Sequence, residues 1–267
     1  MYLADYHCHT ECSHDSTASL PVMAQAALAA GLSELCITDH CDLIGGYGEP
    51  LTGYDWTPAL LQMEKGRRLF DGRLTLRLGI ELGMGHVNAE LTRKILDCPA
   101  LDFVIGSIHN LSPARGGTDF FFVQYPDEAS CHAALEDYFT SMLALCESDA
   151  YDVLGHIPYP LRYMPFPITL ERYEPVLRAI LTRVAARGKG IEMNTNRGRD
   201  LEEWRSILTL FFDCGGRYVT VGADAHTPVM VGRGIPQAYR LMRETGFPQV
   251  TLYEKRIPHL RDIMEET

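Results

Sequence analysis

The chain has 267 residues, of which 46% are hydrophobic and 22% are charged, and its formal net charge is −11 at pH 7. This composition is typical of a globular protein with enough apolar material for a buried core, and it excludes a disordered or low-complexity chain. So acidic a protein repels a nucleic-acid backbone, and no cluster of Lys and Arg offers a local basic groove, so we expect no nucleic-acid partner.

The eight cysteines are scattered and include no Cys-x-x-Cys pair. This excludes a zinc ribbon, and a chain of this size has no need of a disulfide framework. The N-terminus lacks a basic segment followed by an apolar run, so we identify no signal peptide, and no apolar stretch is long enough to cross a bilayer. We therefore expect reduced thiols, a cytoplasmic protein and no membrane partner.

Short apolar segments alternate with longer amphipathic ones along the chain, and no linker interrupts them. The apolar segments have the length of strands, and their near-continuous Val, Ile, Leu and Phe content is typical of parallel strands buried on both faces. In chain order the predicted strands are Tyr2–His7, Glu34–Thr38, Thr75–Glu81, Asp102–Ile108, Asp152–Ile157, Gly190–Asn194 and Tyr218–Gly222.

The segments between these strands have helical patterns. The first has Pro21 in its opening turn and stops at Gly31, a pairing typical of helix ends. The predicted helices are Leu20–Ala30, Pro58–Phe70, Ala89–Leu96, Asp127–Glu147, Leu170–Arg187, Leu201–Cys214 and Gly232–Thr245. Seven strands that alternate with seven helices predict a single parallel α/β domain over residues 1–267. A barrel and an open doubly wound sheet share this pattern.

Nearly every predicted strand ends near a side chain that binds divalent cations. The C-terminal ends of parallel strands form the binding face of α/β folds, so we expect these side chains to converge on one pocket. Six imidazoles and three carboxylates are more than one ion can use, which predicts a cluster of two or three metals, and this ligand mixture suits zinc, iron or manganese. The candidate ligands are His7, His9, Asp15, His40, Glu81, His109, His156, Asp224 and His226.

A metal cluster of this kind predicts a phosphatase. Clustered metals activate a bridging hydroxide and stabilise phosphoryl oxygens, which is what the hydrolysis of a phosphate ester needs. The sequence has no G-x-S-x-G elbow, P-loop or dinucleotide-binding motif. We predict Glu81, Asp224 and His226 as catalytic residues. Arg162 and Arg197 follow strand ends on the same face and are candidates to bind phosphate, with a surface salt bridge as the alternative.

The order of these motifs resembles that of the polymerase and histidinol phosphatase (PHP) superfamily, over almost the whole chain. The motifs are His7-x-His9-Thr10 with Asp15 downstream, Ile37-Thr38-Asp39-His40, Gly79-Ile80-Glu81, Gly106-Ser107-Ile108-His109, Gly155-His156 and Gly222-Ala223-Asp224-Ala225-His226. The resemblance implies a distorted (βα)₇ TIM-like barrel with a site for three divalent metals at the C-terminal strand ends.

The resemblance also implies how the ligands divide among three ions. The three sets are His7, His9, Glu81 and Asp224; then Glu81 again, as a bridge, with His109 and His156; and finally Asp15, His40 and His226. Asp39 is expected to lie outside the ligand shell and to orient a ligand. His14 is expected to point away from the site.

Within the superfamily the chain resembles the histidinol-phosphate phosphatases, which hydrolyse L-histidinol phosphate to L-histidinol and phosphate in histidine biosynthesis. The segments that carry this resemblance are Asp5-Tyr6-His7, Phe103–Ser107, Arg162-Tyr163, Glu192–Thr195 and Gly246-Phe247. Two loops, Ile157–Pro160 and Asn196–Arg199, depart from that group's pattern. Other small phosphomonoesters, such as a nucleotide or a sugar phosphate, therefore remain alternative substrates, and a non-catalytic metal-binding regulatory module is the alternative outside enzymes.

Overall fold

The computed structural model describes residues 1–199 and 201–263. Within these ranges no helix combines the length and the apolar character that crossing a membrane requires. The elements, in chain order, are β1 (Ala4–Asp5), α1 (Leu20–Ala29), β2 (Glu34–Ile37), β3 (His40–Asp42), α2 (Thr57–Leu69), β4 (Thr75–Gly83), α3 (Ala89–Leu96), β5 (Phe103–Ser107), α4 (Glu128–Cys146), β6 (Val153–Leu154), α5 (Glu174–Ala186), β7 (Gly190–Asn194), α6 (Trp204–Asp213), β8 (Tyr218–Gly222), α7 (Ile235–Glu244), β9 (Gln249–Glu254) and β10 (Ile257–Asp262).

Seven parallel strands form the centre of the fold, in the spatial order β1-β2-β4-β5-β6-β7-β8. The first and last strands meet: the Tyr6 amide donates to the Val221 carbonyl at 2.9 Å, and the His9 amide donates to the Ala225 carbonyl at 2.9 Å. The sheet is therefore a nearly closed barrel, and the open doubly wound alternative is excluded. The predicted distorted (βα)₇ barrel is confirmed.

The seven predicted helices and seven predicted strands are all present, with small shifts at their ends. Helix α1, for example, buries Leu20, Met23 and Ala27 against the sheet. It is followed by Gly31 at a φ of +77°, a left-handed conformation that favours glycine after a helix. The β1 and β6 ladders are shorter than their apolar segments, since only two residues of each pair regularly with a neighbour.

Two regions of sheet have no counterpart among the predicted strands. Strand β3 has the polar sequence His-Cys-Asp and only three residues, so it lacks the apolar run by which strands are recognised. The β9–β10 hairpin pairs antiparallel, outside the barrel, and most side chains of β10 are exposed. Neither region is an apolar segment between helices, which explains why the sequence pattern does not reveal them.

The β9–β10 hairpin covers the N-terminal ends of the barrel strands. The Tyr253 amide donates to the Tyr6 hydroxyl at 2.8 Å, and the Tyr253 ring lies 4.9 Å from that of Phe103. Arg256 donates from Nη2 to Oδ1 of Asp152 at 2.9 Å. The hairpin thus closes one end of the barrel, and the C-terminal strand ends remain open for a binding site.

Candidate metal centre

The candidate ligands lie at the C-terminal ends of the barrel strands. Glu81 lies in β4, and His40 opens β3, which pairs with β4 so that His40 is directly beside Glu81. The remaining candidates lie in the loops: His7, His9 and Asp15 follow β1, His109 follows β5, His156 follows β6, and Asp224 and His226 follow β8. The parallel topology thus brings side chains from both ends of the chain to one place.

Glu81 lies at the middle of the cluster, and both of its oxygens contact imidazoles. Its Oε1 is 2.7 Å from Nε2 of His156 and 3.1 Å from Nε2 of His109. Its Oε2 is 3.0 Å from Nδ1 of His40 and 3.1 Å from Nε2 of His7. A carboxylate shared in this way has the geometry of a bridging ligand between neighbouring cations.

Asp224 and Asp15 complete the cluster on the other side. Asp224 adopts a left-handed φ of 58°, which aspartate tolerates better than most residues, and its Oδ1 lies 3.6 Å from Nε2 of His9. Asp15 Oδ2 is 2.9 Å from Nε2 of His226 and 3.6 Å from Nε2 of His40. All nine predicted ligand side chains therefore meet in one cluster.

Four groups of side chains in this cluster each present three donor atoms within 4.8 Å of one another. The groups are His7, His9 and Asp224; Glu81, His109 and His156; His9, His40 and His226; and His40, Asp42 and His109. The second is a predicted ligand set in full, and the first holds three of the four ligands predicted for one ion, without Glu81. The third has His9 where Asp15 was predicted, although Asp15 contacts both other members. The fourth includes Asp42, which was not predicted.

Buried polar atoms in the cluster fit bound cations. Among the described residues, His7 Nε2, His9 Nε2, His40 Nδ1 and Glu81 Oε2 are buried and have no hydrogen-bond partner, and the polar contacts between oppositely charged groups here are ion-pair distances of 3.0 to 3.8 Å within the cluster. A buried polar atom without a hydrogen bond costs about 1–3 kcal/mol, so four in one place require an explanation. Divalent cations would satisfy all four, and imidazole with carboxylate is a suitable donor set.

Electrostatics keep the central carboxylates ionised. Burial raises the pKa of Glu81, but the His7 and His109 imidazoles hold this pKa well below its ordinary value. Burial also raises the pKa of Asp224, which His7 and the Arg162 guanidinium likewise hold well below the ordinary value. Both carboxylates are therefore in the charged form that binds metals.

Carboxylates behind the imidazoles orient them, and this role was not predicted for either residue. Glu192 Oε1 lies 2.5 Å from Nδ1 of His7, and its Oε2 accepts from the His156 amide at 2.8 Å. Asp42 Oδ1 lies 2.7 Å from Nδ1 of His109. Such contacts fix the ring orientation and raise ligand basicity. A carboxylate between the apolar residues Ile191 and Met193 of strand β7 was the available signal for Glu192.

Two glycines leave room for these contacts. A Cβ atom at Gly222 would lie 2.3 Å from Cβ of His7 and 2.7 Å from Oε1 of Glu192. A Cβ atom at Gly83 would lie 1.7 Å from Oδ1 of Asp42. Any larger residue at either position would displace a carboxylate that orients an imidazole, so these two glycines at strand ends have a steric role.

Asp39 lies outside the cluster and holds the loop that carries His9. Its Oδ1 accepts from Oγ of Ser13 at 2.8 Å, and the same hydroxyl lies 3.0 Å from Nδ1 of His9. Its Oδ2 accepts from Oγ1 of Thr10 at 2.8 Å. This is the arrangement expected of a residue that orients a ligand through an intermediate hydroxyl.

Arg162 reaches the cluster from the turn after β6. It donates from Nη1 to Oδ2 of Asp224 and from Nη2 to Oδ1 of Asn194, both at 2.9 Å. Its ion pair therefore lies within the site, and the surface salt bridge weighed for Arg162 is excluded. The side chain of Arg197, the other predicted phosphate-binding residue, lies outside the described part of the structure.

A cavity of about 750 Å³ opens above the cluster, large enough for a small phosphomonoester. His40, His109 and Arg162 line it. His14 also lines it, with its ring 5.3 Å from that of His40, so the expectation that His14 points away is wrong. Asp119 also lines the cavity and was not predicted as a site residue.

The PHP domain family matches residues 5–196 of this chain, from the end of β1 to the residues just after β7. The chain belongs to the PHP domain family. This match includes the PHP motifs up to Gly155-His156, and the superfamily resemblance expected from the sequence is confirmed. The Asp224 and His226 motif lies beyond the matched range, directly after β8, the strand that closes the barrel.

Several relatives align with this chain along nearly their whole length. The histidinol-phosphatase of Lactococcus lactis is 27% identical over 266 residues, which cover 95% of each chain. A protein named probable histidinol-phosphatase from Deinococcus radiodurans is 29% identical over 269 residues, covering 96% of this chain and 98% of its own. The crystal structure of histidinol phosphate phosphatase from Lactococcus lactis, complexed with zinc, L-histidinol and phosphate, matches with a TM-score of 0.84 at 24% identity, covering 96% and 98% of the two chains. This likeness shows that the two proteins have the same fold.

Proposed function

We propose that this chain is a metal-dependent phosphomonoester hydrolase that converts L-histidinol phosphate and water into L-histidinol and phosphate. The observation that carries the proposal is the convergence of imidazoles on the Glu81 carboxylate at the base of a cavity. Relatives that align over 95% of this chain or more and bear the name histidinol-phosphatase support the substrate.

Three divalent ions, zinc, iron or manganese, are the proposed cofactors. Their proposed ligands are His7, His9, Glu81 and Asp224 for the first ion, Glu81, His109 and His156 for the second, and Asp15, His40 and His226 for the third. When bound, such ions polarise phosphoryl oxygens and lower the pKa of water, so that hydrolysis needs no protein nucleophile. A zinc-bound relative of the same fold supports this donor set as a metal site.

The protein's own groups hold and orient the reacting parts in this proposal. Glu81 presents one oxygen to each side of the cluster and fixes the separation of neighbouring sites. Asp224 uses Oδ1 toward His9 and Oδ2 toward Arg162, so it connects the metal site to the guanidinium group. Arg162 is held by two hydrogen bonds against the cavity wall, from which it can donate to a phosphoryl oxygen.

The alternative is a PHP phosphatase for another small phosphomonoester. The two loops whose sequences depart from the histidinol-phosphatase pattern both line the cavity, through Pro158 and Tyr159 in one and Asn196 and Arg199 in the other. Substrate preference is decided by such side chains, because they contact the part of the substrate that differs between esters.

A kcat/KM panel in metal-defined buffer tests the proposed substrate. We expect kcat/KM for L-histidinol phosphate to exceed those for a nucleoside monophosphate and a sugar phosphate by about 10²-fold or more. Comparable values across the panel would reject the biosynthetic role and leave a general phosphatase. No phosphate release from any ester would favour the regulatory metal-binding module. The Glu81→Gln protein, purified in parallel, controls for a contaminating phosphatase.

A further inference from the structure

The chain makes two tight turns in succession after β6. The Tyr159 amide donates to the His156 carbonyl at 2.7 Å, and a short 3₁₀ turn, Tyr159–Arg162, follows at once. Side chains three residues apart lie above one another in a 3₁₀ turn. This spacing places Tyr159 next to His156 on one side and next to Arg162 on the other.

The side chains of His156, Tyr159 and Arg162 are stacked, and we call these three residues the stacked column. The rings of His156 and Tyr159 have centroids 4.6 Å apart and planes only 29° apart, so they meet face to face. Cζ of Arg162 lies over the Tyr159 ring, 5.5 Å from its centroid. The ring of Tyr159 is also 5.2 Å from that of His109. One buried aromatic ring thus contacts two candidate metal ligands and the candidate phosphate-binding arginine.

The imidazole of His156 is held differently from that of His109. Nδ1 of His109 has a carboxylate oxygen of Asp42 at 2.7 Å, which orients the ring. Nδ1 of His156 is buried and has no hydrogen-bond partner among the described residues, while its Nε2 faces Glu81 at 2.7 Å. The nearest ring to His156 in the described structure is that of Tyr159. Close packing against this ring therefore takes the place of a hydrogen bond in fixing the imidazole.

The guanidinium group of Arg162 is held by two hydrogen bonds and one aromatic face. The hydrogen bonds, to Asp224 and Asn194, fix its edge, but a planar group can still tilt about them. The ring of Tyr159 fixes the plane, because a guanidinium stacks on an aromatic face and is attracted by it. The remaining N–H groups of Arg162 are then held in one orientation at the wall of the cavity.

We propose that Tyr159 is a positioning residue that acts through its ring, which holds the imidazole of His156 toward the metal centre and the guanidinium of Arg162 toward the phosphoryl group. The second part rests on the proposed function, since it takes the phosphoryl group to bind beside Arg162. Tyr159 lies in one of the two loops that depart from the histidinol-phosphatase pattern, so the stacked column belongs to a loop in which this chain differs.

Calorimetric titration of the zinc-loaded protein with inorganic phosphate tests the contact with Arg162. Tyr159→Phe keeps the ring and should leave Kd within about twofold of the wild type, whereas Tyr159→Leu removes the ring and should raise Kd about fivefold or more. In the Arg162→Ala background Tyr159→Leu should change Kd little, because its effect passes through the guanidinium. Equal losses in both backgrounds, or no loss in either, would overturn the positioning of Arg162.

The rate of zinc release to a chelator tests the contact with His156. Tyr159→Leu should release zinc about tenfold faster than the wild type, since loss of a contact that orients a metal ligand weakens metal binding about 10–100-fold. Tyr159→Phe should release zinc at the wild-type rate. Phe212→Leu, the matched control, makes the same kind of change at an exposed ring on α6, outside the cavity, and should match the wild type in both measurements.

The possible outcomes separate the stacked column from the proposed function. Wild-type zinc release and phosphate affinity in Tyr159→Leu would overturn the proposal and leave the proposed function intact. Equal losses in Tyr159→Phe and Tyr159→Leu would assign the role to the hydroxyl and overturn a role of the ring. If Tyr159→Leu does not fold, Tyr159→Met, whose flexible side chain fills irregular space, replaces it in both measurements. A wild type that hydrolyses no ester would reject the proposed function, and both measurements would still test the column because neither uses an ester.

Discussion

Glu81 is the residue on which the candidate metal centre depends most. Its two oxygens contact imidazoles that come from four different strand ends, and its carboxyl stays ionised despite full burial. No other carboxylate in the described cluster contacts as many of the predicted ligands. Removing its charge therefore affects neighbouring ion sites together.

The change Glu81→Gln should remove most bound metal and nearly all activity. An amide of the same shape does not bridge two cations. Because loss of a contact outside the ligand shell already lowers metal affinity or activity by about 10–100-fold, we expect kcat to fall by more than about 10²-fold. Metal content per chain and kcat in metal-defined buffer measure the two effects. Glu254→Gln, an exposed carboxylate at the closed end of the barrel, should change neither. Wild-type turnover in Glu81→Gln would contradict the assignment.

Arg162 is the residue whose loss should weaken phosphate binding. Arg162→Ala removes a partly buried guanidinium that lines the cavity, so KM for phosphate esters should rise about tenfold or more, and inhibition by inorganic phosphate should weaken in parallel. Arg178→Ala, which breaks an exposed i,i+4 pair on α5, is the matched control and should keep both constants. An unchanged KM and unchanged phosphate inhibition in Arg162→Ala would remove it from the site.

The position of a residue in the sequence decides whether its role in the site can be predicted. The candidate ligands are recognisable because a His, Asp or Glu at the end of an apolar run breaks the pattern of the strand. The roles of Asp42 and Glu192 were not predicted because neither residue ends an apolar run. Asp42 lies in a short polar segment, and Glu192 lies inside strand β7. Their contacts with His109 and His7 depend on pairings between strands, which no local pattern records.

The secondary structure elements were predictable because each strand and helix has its own pattern of apolar residues and end signals. The closure of the barrel was not, since it depends on hydrogen bonds between the first and last strands, at opposite ends of the chain. The same holds for the β9–β10 hairpin, whose place is decided by tertiary contacts of Tyr253 and Arg256 with the barrel. The barrel itself was expected only through resemblance to the PHP superfamily.

The hairpin should contribute to stability through its contact with Asp152. This carboxylate is buried, and Arg256 donates to it from both Nε and Nη2. Arg256→Ala should lower the free energy of unfolding by about 2 kcal/mol. The loss should be smaller than that from breaking a fully buried ion pair, because the arginine is partly exposed. Urea denaturation measures the change. Arg68→Ala, from an exposed i,i+4 pair on α2, should cost less than about 0.5 kcal/mol. Equal effects of the two variants would contradict a structural role of the hairpin contact.

At the scale of the whole molecule, the barrel concentrates the cation-binding groups of a strongly acidic chain at one end. The hairpin covers the other end, so in the proposed function a small ester would reach the cluster through the cavity above it. The acidic charge predicts that nucleic acid does not bind, and this expectation, the cytoplasmic location and the single domain over residues 1–267 stay predictions.

Stepwise reconstitution of the metal-depleted protein tests directly whether the Glu81 cluster is a hydrolytic metal centre. Phosphate release from L-histidinol phosphate would be followed as zinc or manganese is added in measured equivalents. We predict that the depleted protein releases no phosphate and that activity returns with added metal and levels off near three equivalents per chain. Turnover by the depleted protein at the rate of the untreated protein would contradict a metal-dependent centre.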